Sequence, residues 1–217
     1  MAGDPAHGIR FDSKAHWESV YRTKRVDEVS WFQREPTLSL ALIRKFAPRA
    51  AARIIDVGSG ASSLVDSLVT GGYSAVTVLD LSSTALAQAR GRLGPRALEV
   101  TWLEADILEA ALPHAAFDVW HDRAVFHFLT SEADRGAYIA QLQRCLRPGA
   151  VLLIATFAED GPGRCSGLPV VRYSAGTLHN ALGQSFRLLE TIDERHVTPA
   201  GVIQSFVYCA FRFAPAG

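Results

Sequence analysis

The apolar positions of this chain change period repeatedly. Arg53–Val57, Ala75–Leu79, Val100–Leu103, Phe117–Trp120 and Val151–Thr156 are short, near-continuous runs of Val, Ile, Leu and aromatic residues, the pattern of strands covered on both faces. Between and before them, Thr37–Phe46, Ser63–Thr70, Ser83–Leu93 and Glu132–Leu146 repeat apolar residues at helical intervals. Pro36 precedes the first, and Ser131 with Asp134 opens the last in capping-box spacing. Alternation of this kind predicts an α/β fold: a mostly parallel sheet with helices on both faces, joined by right-handed crossovers. The rhythm ends with two extended runs, Phe186–Val197 and Val202–Phe213, separated only by Thr198-Pro199-Ala200-Gly201. Such a turn predicts an antiparallel hairpin at the sheet edge, bringing the expected strands to seven. Residues 1–48 are expected to form a helical cap or lid, and residues 49–217 the core.

The first strand stops in Asp56-Val57-Gly58-Ser59-Gly60-Ala61-Ser62. Glycines at 58 and 60 allow a tight turn and close approach of a ligand to the backbone, and the following helix offers amide hydrogens without internal partners. Asp56, Asp80 and Asp106 each follow an apolar run, which would aim three carboxylates at one rim of the sheet. In such sheets ligands lie beyond the carboxyl ends of the strands. An acid closing the second strand is placed to accept both hydroxyl hydrogens of a ribose; that acid is Asp80. Asp106 would accept from the exocyclic amine of an adenine, with Leu81 and Ile107 against its faces. The alternative role for each acid is to cap the helix that follows.

A dinucleotide fingerprint places a third glycine where this chain has Ser63. The acid-x-Gly-x-Gly pattern of Asp56, Gly58 and Gly60 instead resembles the class I S-adenosylmethionine-dependent methyltransferases, with Ser62 in place of a last glycine. Asp80, Ala105-Asp106-Ile107, Phe117-Asp118-Val119-Trp120-His121-Asp122 and Leu146-Arg147-Pro148-Gly149-Ala150, read as the turn before the fifth strand, extend that resemblance over residues 50 to 213. It implies a Rossmann-like seven-stranded sheet, S-adenosylmethionine as cofactor, and Asp56, Gly58, Gly60, Ser62, Asp80, Leu81, Asp106 and Ile107 as its binding residues. His16-Trp17-Glu18, Tyr21 and Ser30-Trp31-Phe32 are similar to the entry segment of methyltransferase-like lysine methyltransferases. That likeness implies Trp17, Tyr21 and Trp31 over the methionine end of the cofactor; otherwise they are an aromatic cluster docking the first helix.

A sulfonium methyl is already activated, so an enzyme of this kind must align a nucleophile and, where the nucleophile is protonated, take its proton. His121, Asp122, Arg123 and His127 crowd the segment after the fourth strand and are the expected catalytic groups, His121 or His127 as base and Asp122 or Arg123 to orient the acceptor. Core packing is the competing role for these histidines, and Asp118 is read as support for the strand end. Between Phe157 and Tyr173, a stretch rich in Gly and Pro predicts an irregular loop on the same rim, with Arg164, Cys165 and Arg172 as substrate contacts. A cysteine in a polar loop would suit a soft, thiophilic acceptor.

Composition narrows the partners. Among 217 residues, 22 Lys and Arg balance 22 Asp and Glu, so no global field favours bulk nucleic acid or an anionic membrane, although a local basic patch fits the same totals. Cys145, Cys165 and Cys209 form no zinc or redox spacing, so no metal is expected and a reducing, cytoplasmic setting is. Met1–Arg10 contains no apolar run of signal length, and no later run would span a bilayer. The acceptor is a small molecule or a protein lysine, and no pattern sets an oligomeric state. An NAD(P)-dependent reductase and a non-catalytic cofactor-binding protein are the other readings of the same loop.

Overall fold

A computed structural model describes residues 12–215; the segment Met1–Arg10 invoked above lies outside the described residues. Strands β1 (Arg53–Val57), β2 (Ala75–Asp80), β3 (Val100–Glu104), β4 (Phe117–Arg123) and β5 (Leu146–Phe157) pair in parallel. After a two-residue pair, β6 (Arg164–Cys165) and β7 (Leu168–Pro169), the long strands β8 (Phe186–Val197) and β9 (Ile203–Phe213) close the main sheet as an antiparallel hairpin. The seven-stranded order is β3-β2-β1-β4-β5-β9-β8. Strand order therefore reverses between β1 and β4, where the carboxyl ends leave a crevice.

Alternation along each strand divides the core into two layers. Ile54, Val76, Val78, Val119 and Leu153 face Leu42 and Ile43 of α2 (Thr37–Phe46), Leu64 and Leu68 of α3 (Leu64–Thr70) and Leu86 of α4 (Ser83–Leu93). Ile55, Val57, Trp120, Leu152 and Ile154 face Tyr138 and Leu142 of α5 (Glu132–Cys145) and Leu178 and Leu182 of α6 (Ala175–Leu182). A further helix, α1 (Ser13–Thr23), packs Tyr21 against Ala61 and Ala85 over the glycine loop. Helix α2 packs into the core through Leu42 and Ile43 as one of its walls. No helix among the described residues is long and apolar enough to cross a membrane.

The main departures from the sequence pattern are local. Helix α6 lacks a long apolar stripe; Ser174 starts it through a capping box with Thr177, and Gly183 at φ +86° ends it. The loop after β5 folds back as the β6–β7 pair through Ser166 and Gly167, both at positive φ. Leu146-Arg147-Pro148-Gly149-Ala150, read as a turn, belongs to β5: Phe117 pairs with Leu146 and Val119 with Val151, so residues 147–150 bulge opposite the single residue Asp118. Strand β4 runs on through the polar residues His121, Asp122 and Arg123.

Asp122 anchors the turn that follows β4. Its carboxylate accepts from the Val125 and Phe126 N–H groups and from the Tyr138 hydroxyl, which in turn accepts from Trp120 Nε1 at 2.9 Å. Complete burial pushes its pKa up to about 6, against the pull of those donors. The folded state therefore takes up a proton as pH falls from about 6 toward the unfolded value near 4, and this group's contribution to stability rises over that window. Tyr138→Phe removes one donor to the carboxylate and orphans the Trp120 N–H. Urea unfolding is expected to show a loss of about 1–3 kcal/mol at pH 8 and a smaller loss at pH 5, where Asp122 is largely neutral.

Candidate functional site

At the carboxyl ends of β1 to β4 lies a cleft of about 980 Å³, within the size range of small-ligand and cofactor sites. Asp80 is its most constrained polar group. The side chain is 7% exposed, and its two oxygens accept from the Gly60 N–H at 2.7 Å and the Ser82 N–H at 2.8 Å. Desolvation raises its pKa to about 6, partly opposed by those two bonds. A carboxylate offers roughly four acceptor positions, so two remain for hydroxyl donors of a ligand. Leu81, Asp106 and Ile107 line the same cleft, and Asp106 also accepts from the Leu108 N–H at 2.9 Å. An acid with spare acceptor capacity beside apolar walls and a second carboxylate fits a ribose joined to an adenine.

Gly58 and Gly60 both adopt positive φ, +61° and +55°. The close approach they permit is to the protein itself. A Cβ at Gly60 would lie 2.0 Å from the Tyr21 hydroxyl oxygen, and one at Gly58 2.0 Å from a Val125 methyl. The Gly58 N–H donates to the Leu79 carbonyl at 2.8 Å, which fastens the loop to β2.

Trp17, Tyr21 and Trp31 also line the cleft. Trp17 stands edge-on to Trp31 and Phe128, with ring centroids 5.7 and 5.1 Å apart. This aromatic wall is held from both directions. Glu18 of α1 accepts from the Ser82, Ser83 and Thr84 hydroxyls at the N-terminus of α4, at 2.7, 3.1 and 2.5 Å. Those donors hold its pKa down at about 2, the Thr84 and Ser82 hydroxyls contributing most. Lys14 pairs with Glu104, the last residue of β3. On the opposite flank Arg123 donates to the Trp31 carbonyl at 3.1 Å, to the Tyr208 hydroxyl at 2.7 Å and to Glu194 at 3.2 Å, and its guanidinium lies over the Phe206 ring. Glu194 accepts from Gln33, and His196 bonds the Ser30 carbonyl. The terminal hairpin therefore holds residues 30–33, and with them the Trp31 indole.

Of the other expected site residues, Arg123 and Cys165 line the cleft and the rest lie outside it. Asp56 and His121 are register partners on β1 and β4, and their side chains bond at 2.7 Å while the second imidazole nitrogen meets the Ser39 hydroxyl at 2.9 Å. His121 is 4% exposed, with both ring nitrogens engaged, and neither it nor Asp56 lines the large cleft. They border a separate void of about 50 Å³, as does Ser62, whose hydroxyl accepts from the Leu64 N–H. His127 is fully buried against Phe157 and Phe128, accepts from the Phe157 N–H, and is held neutral at a pKa of about 3, chiefly by desolvation. Neither imidazole reaches the cleft as a base, and Asp122 faces α5. In the loop, Arg164 and Arg172 are exposed and donate to the Gly167 and Gly161 carbonyls, away from the cleft lining. Cys165 does line the cleft, as a buried thiol whose pKa desolvation pushes up to about 11, so it would meet an acceptor as a neutral thiol.

Glu18 and Phe128 were missed because each works through folding partners distant in sequence. The Ser82-Ser83-Thr84 run that Glu18 grips was the one available signal, as a cluster of cap-forming hydroxyls.

A family model described as a methyltransferase domain matches residues 54–149. The ubiquinone biosynthesis O-methyltransferase of Aromatoleum aromaticum is 31% identical over 163 residues, 74% of this chain and 65% of its own length. The chain belongs to the class I S-adenosylmethionine-dependent methyltransferases. The eEF1A lysine and N-terminal methyltransferase of Danio rerio is 25% identical over 214 residues, 97% of this chain; the chain spans 30% of that relative's length. Among solved structures, the Burkholderia thailandensis 1,6-didemethyltoxoflavin-N1-methyltransferase with bound S-adenosylhomocysteine superimposes with a TM-score of 0.72 at 21% identity, covering 93% of this methyltransferase and 87% of that chain. At that identity the likeness is one of fold.

The clasp between α1 and α4 gives a direct expectation. Glu18→Ala should leave the sheet intact and raise amide exchange across residues 13–23, as read by hydrogen–deuterium exchange. A carboxylate with a depressed pKa stabilises above its unfolded value near 4.5 and loses that effect as pH falls toward 2. In the unsubstituted protein, α1 should therefore loosen between about pH 4 and pH 2.

Proposed function

We propose that this methyltransferase binds S-adenosylmethionine in the 980 Å³ cleft and transfers its methyl group to a small, largely apolar acceptor. The observation that carries this reading is the carboxylate of Asp80, buried at the end of β2, fixed by two backbone N–H groups and still able to accept. Asp80 would take the ribose hydroxyls, Asp106 the adenine amine, and Leu81 and Ile107 the faces of the base. Tyr21, Trp17 and Trp31 would cover the remaining part of the cofactor and keep water from it. When bound, the cofactor supplies a methyl on a sulfonium, activated without help from the protein.

The chain's own contribution is then position and desolvation. Beside Trp17, Trp31 and Phe128, the cleft is lined by Leu168, Pro169 and the neutral Cys165 thiol, a wall suited to a flat apolar acceptor. Both ring nitrogens of His121 are bonded and His127 is fully buried away from the cleft, so the acceptor would bring an available lone pair rather than lose a proton to an imidazole. Arg123 acts as a positioning residue, since its guanidinium is spent on Trp31, Tyr208 and Glu194.

Calorimetric titration should show tight S-adenosylmethionine and S-adenosylhomocysteine binding and no comparable NAD binding; tight binding of NAD alone would overturn the assignment. Asp80→Asn, which keeps the shape and removes the charge, should weaken the cofactor by about tenfold to a hundredfold. Because hydroxyl donors favour the ionised carboxylate, affinity in the unsubstituted protein should fall as pH drops through about 6. A radiolabelled transfer assay on separated small-molecule and protein fractions of a cell extract should place the label in the small-molecule fraction. Label confined to protein would point to a lysine acceptor.

A further inference from the structure

The opposite end of the sheet holds a second concavity, a groove of about 800 Å³ at the amino ends of β1, β4 and β5. Its charge is one-sided: Arg49, Arg53, Arg147 and Arg212 line it, with Asp118 as the single carboxylate. The bulge of residues 147–150 opposite Asp118 creates this shape and brings Arg147 to the same wall as Arg53. Asp118 accepts from the Arg53 backbone N–H at 2.9 Å, and the two guanidinium groups reach its oxygens only at 3.7 Å (Arg53) and 3.3 Å (Arg147). Arg212 donates to the Gly149 carbonyl. One terminal nitrogen of Arg53 is buried yet has no hydrogen-bond partner among the described residues. A guanidinium stays charged at any working pH and presents a planar fork of donors, and the Arg53 and Arg147 side chains are 38% and 50% exposed, so their accessible donors can meet an acceptor from outside the chain.

We propose that this groove binds a phosphate-bearing small ligand, at a site separate from the methyl-transfer cleft. One carboxylate among four guanidinium groups leaves a surplus of positive charge. A tetrahedral oxyanion carries enough acceptor oxygens to meet several forks at once. The chain as a whole balances 22 basic against 22 acidic residues, so no global field accompanies this local surplus, which suits a small anion better than an extended polyanion. Phe46 and Pro148 border the arginines and offer apolar surface to an organic group attached to the phosphate.

The test is calorimetric titration of the full chain at about 50 mM salt, where screening is modest, with inorganic diphosphate and, separately, with cytidine diphosphate. Saturable binding of one ligand per chain is expected. It should weaken about tenfold in Arg53→Gln and in Arg147→Gln, and tighten in Asp118→Asn, which removes the competing charge and keeps an oxygen for the Arg53 N–H. Equal affinity for the two ligands assigns recognition to the phosphates alone; tighter cytidine diphosphate extends it to the apolar border. S-adenosylhomocysteine binding should be unchanged in all three variants, which separates this site from the cleft and reports their folding. No saturable binding of either anion, binding that both arginine substitutions leave unmoved, or weaker binding in Asp118→Asn would overturn the proposal.

Discussion

A desolvated carboxylate stays ionised near neutral pH only where donors are fixed around it, and Asp80 draws both of its donors from the segments that build the cleft. The Gly60 N–H comes from the glycine loop and the Ser82 N–H from the start of α4. The anion is therefore in place only when loop and helix are both folded. Ser82 carries the coupling one step further: its hydroxyl donates to Glu18 and accepts from the Ala85 N–H. The floor of the cleft and the helix that covers it share this one residue.

The other wall is set from the far edge of the sheet. Three contacts tie residues 30–33 to β4 and β8: Arg123 with the Trp31 carbonyl, Glu194 with Gln33, and His196 with the Ser30 carbonyl. The terminal hairpin thus has a role beyond closing the sheet, since it holds the Trp31 indole that lines the cleft. Tyr21 links the halves, resting against Gly60 on one side and Trp31 on the other. Any side chain at position 60 would push it out of that place.

The architecture was legible because strand and helix differ in period, and the boundaries of β1, α2 and α4 fall where the pattern sets them. Asp80, Leu81, Asp106 and Ile107 share one cleft, as expected of residues closing successive parallel strands. The run from His121 to Arg123 was harder to place. In sequence it looks like one dense group, but a strand sends neighbours to opposite faces: His121 goes to Asp56 and Ser39, Asp122 to Tyr138, and Arg123 to the hairpin. Asp56 shares the sheet face of Asp80, its register partner Val78 lying two residues before Asp80, but it is set back along the strand and bonded to His121 rather than lining the cleft. Glu18 was illegible for another reason, because its partners come together only when α1 lies across α4.

A crystal structure of the protein with S-adenosylhomocysteine tests the central claim most directly. Both ribose hydroxyls should lie within hydrogen-bond distance of the Asp80 carboxylate, with the adenine between Leu81 and Ile107 and its amine toward Asp106. A ligand seated elsewhere, or ribose hydroxyls turned away from Asp80, would contradict the account.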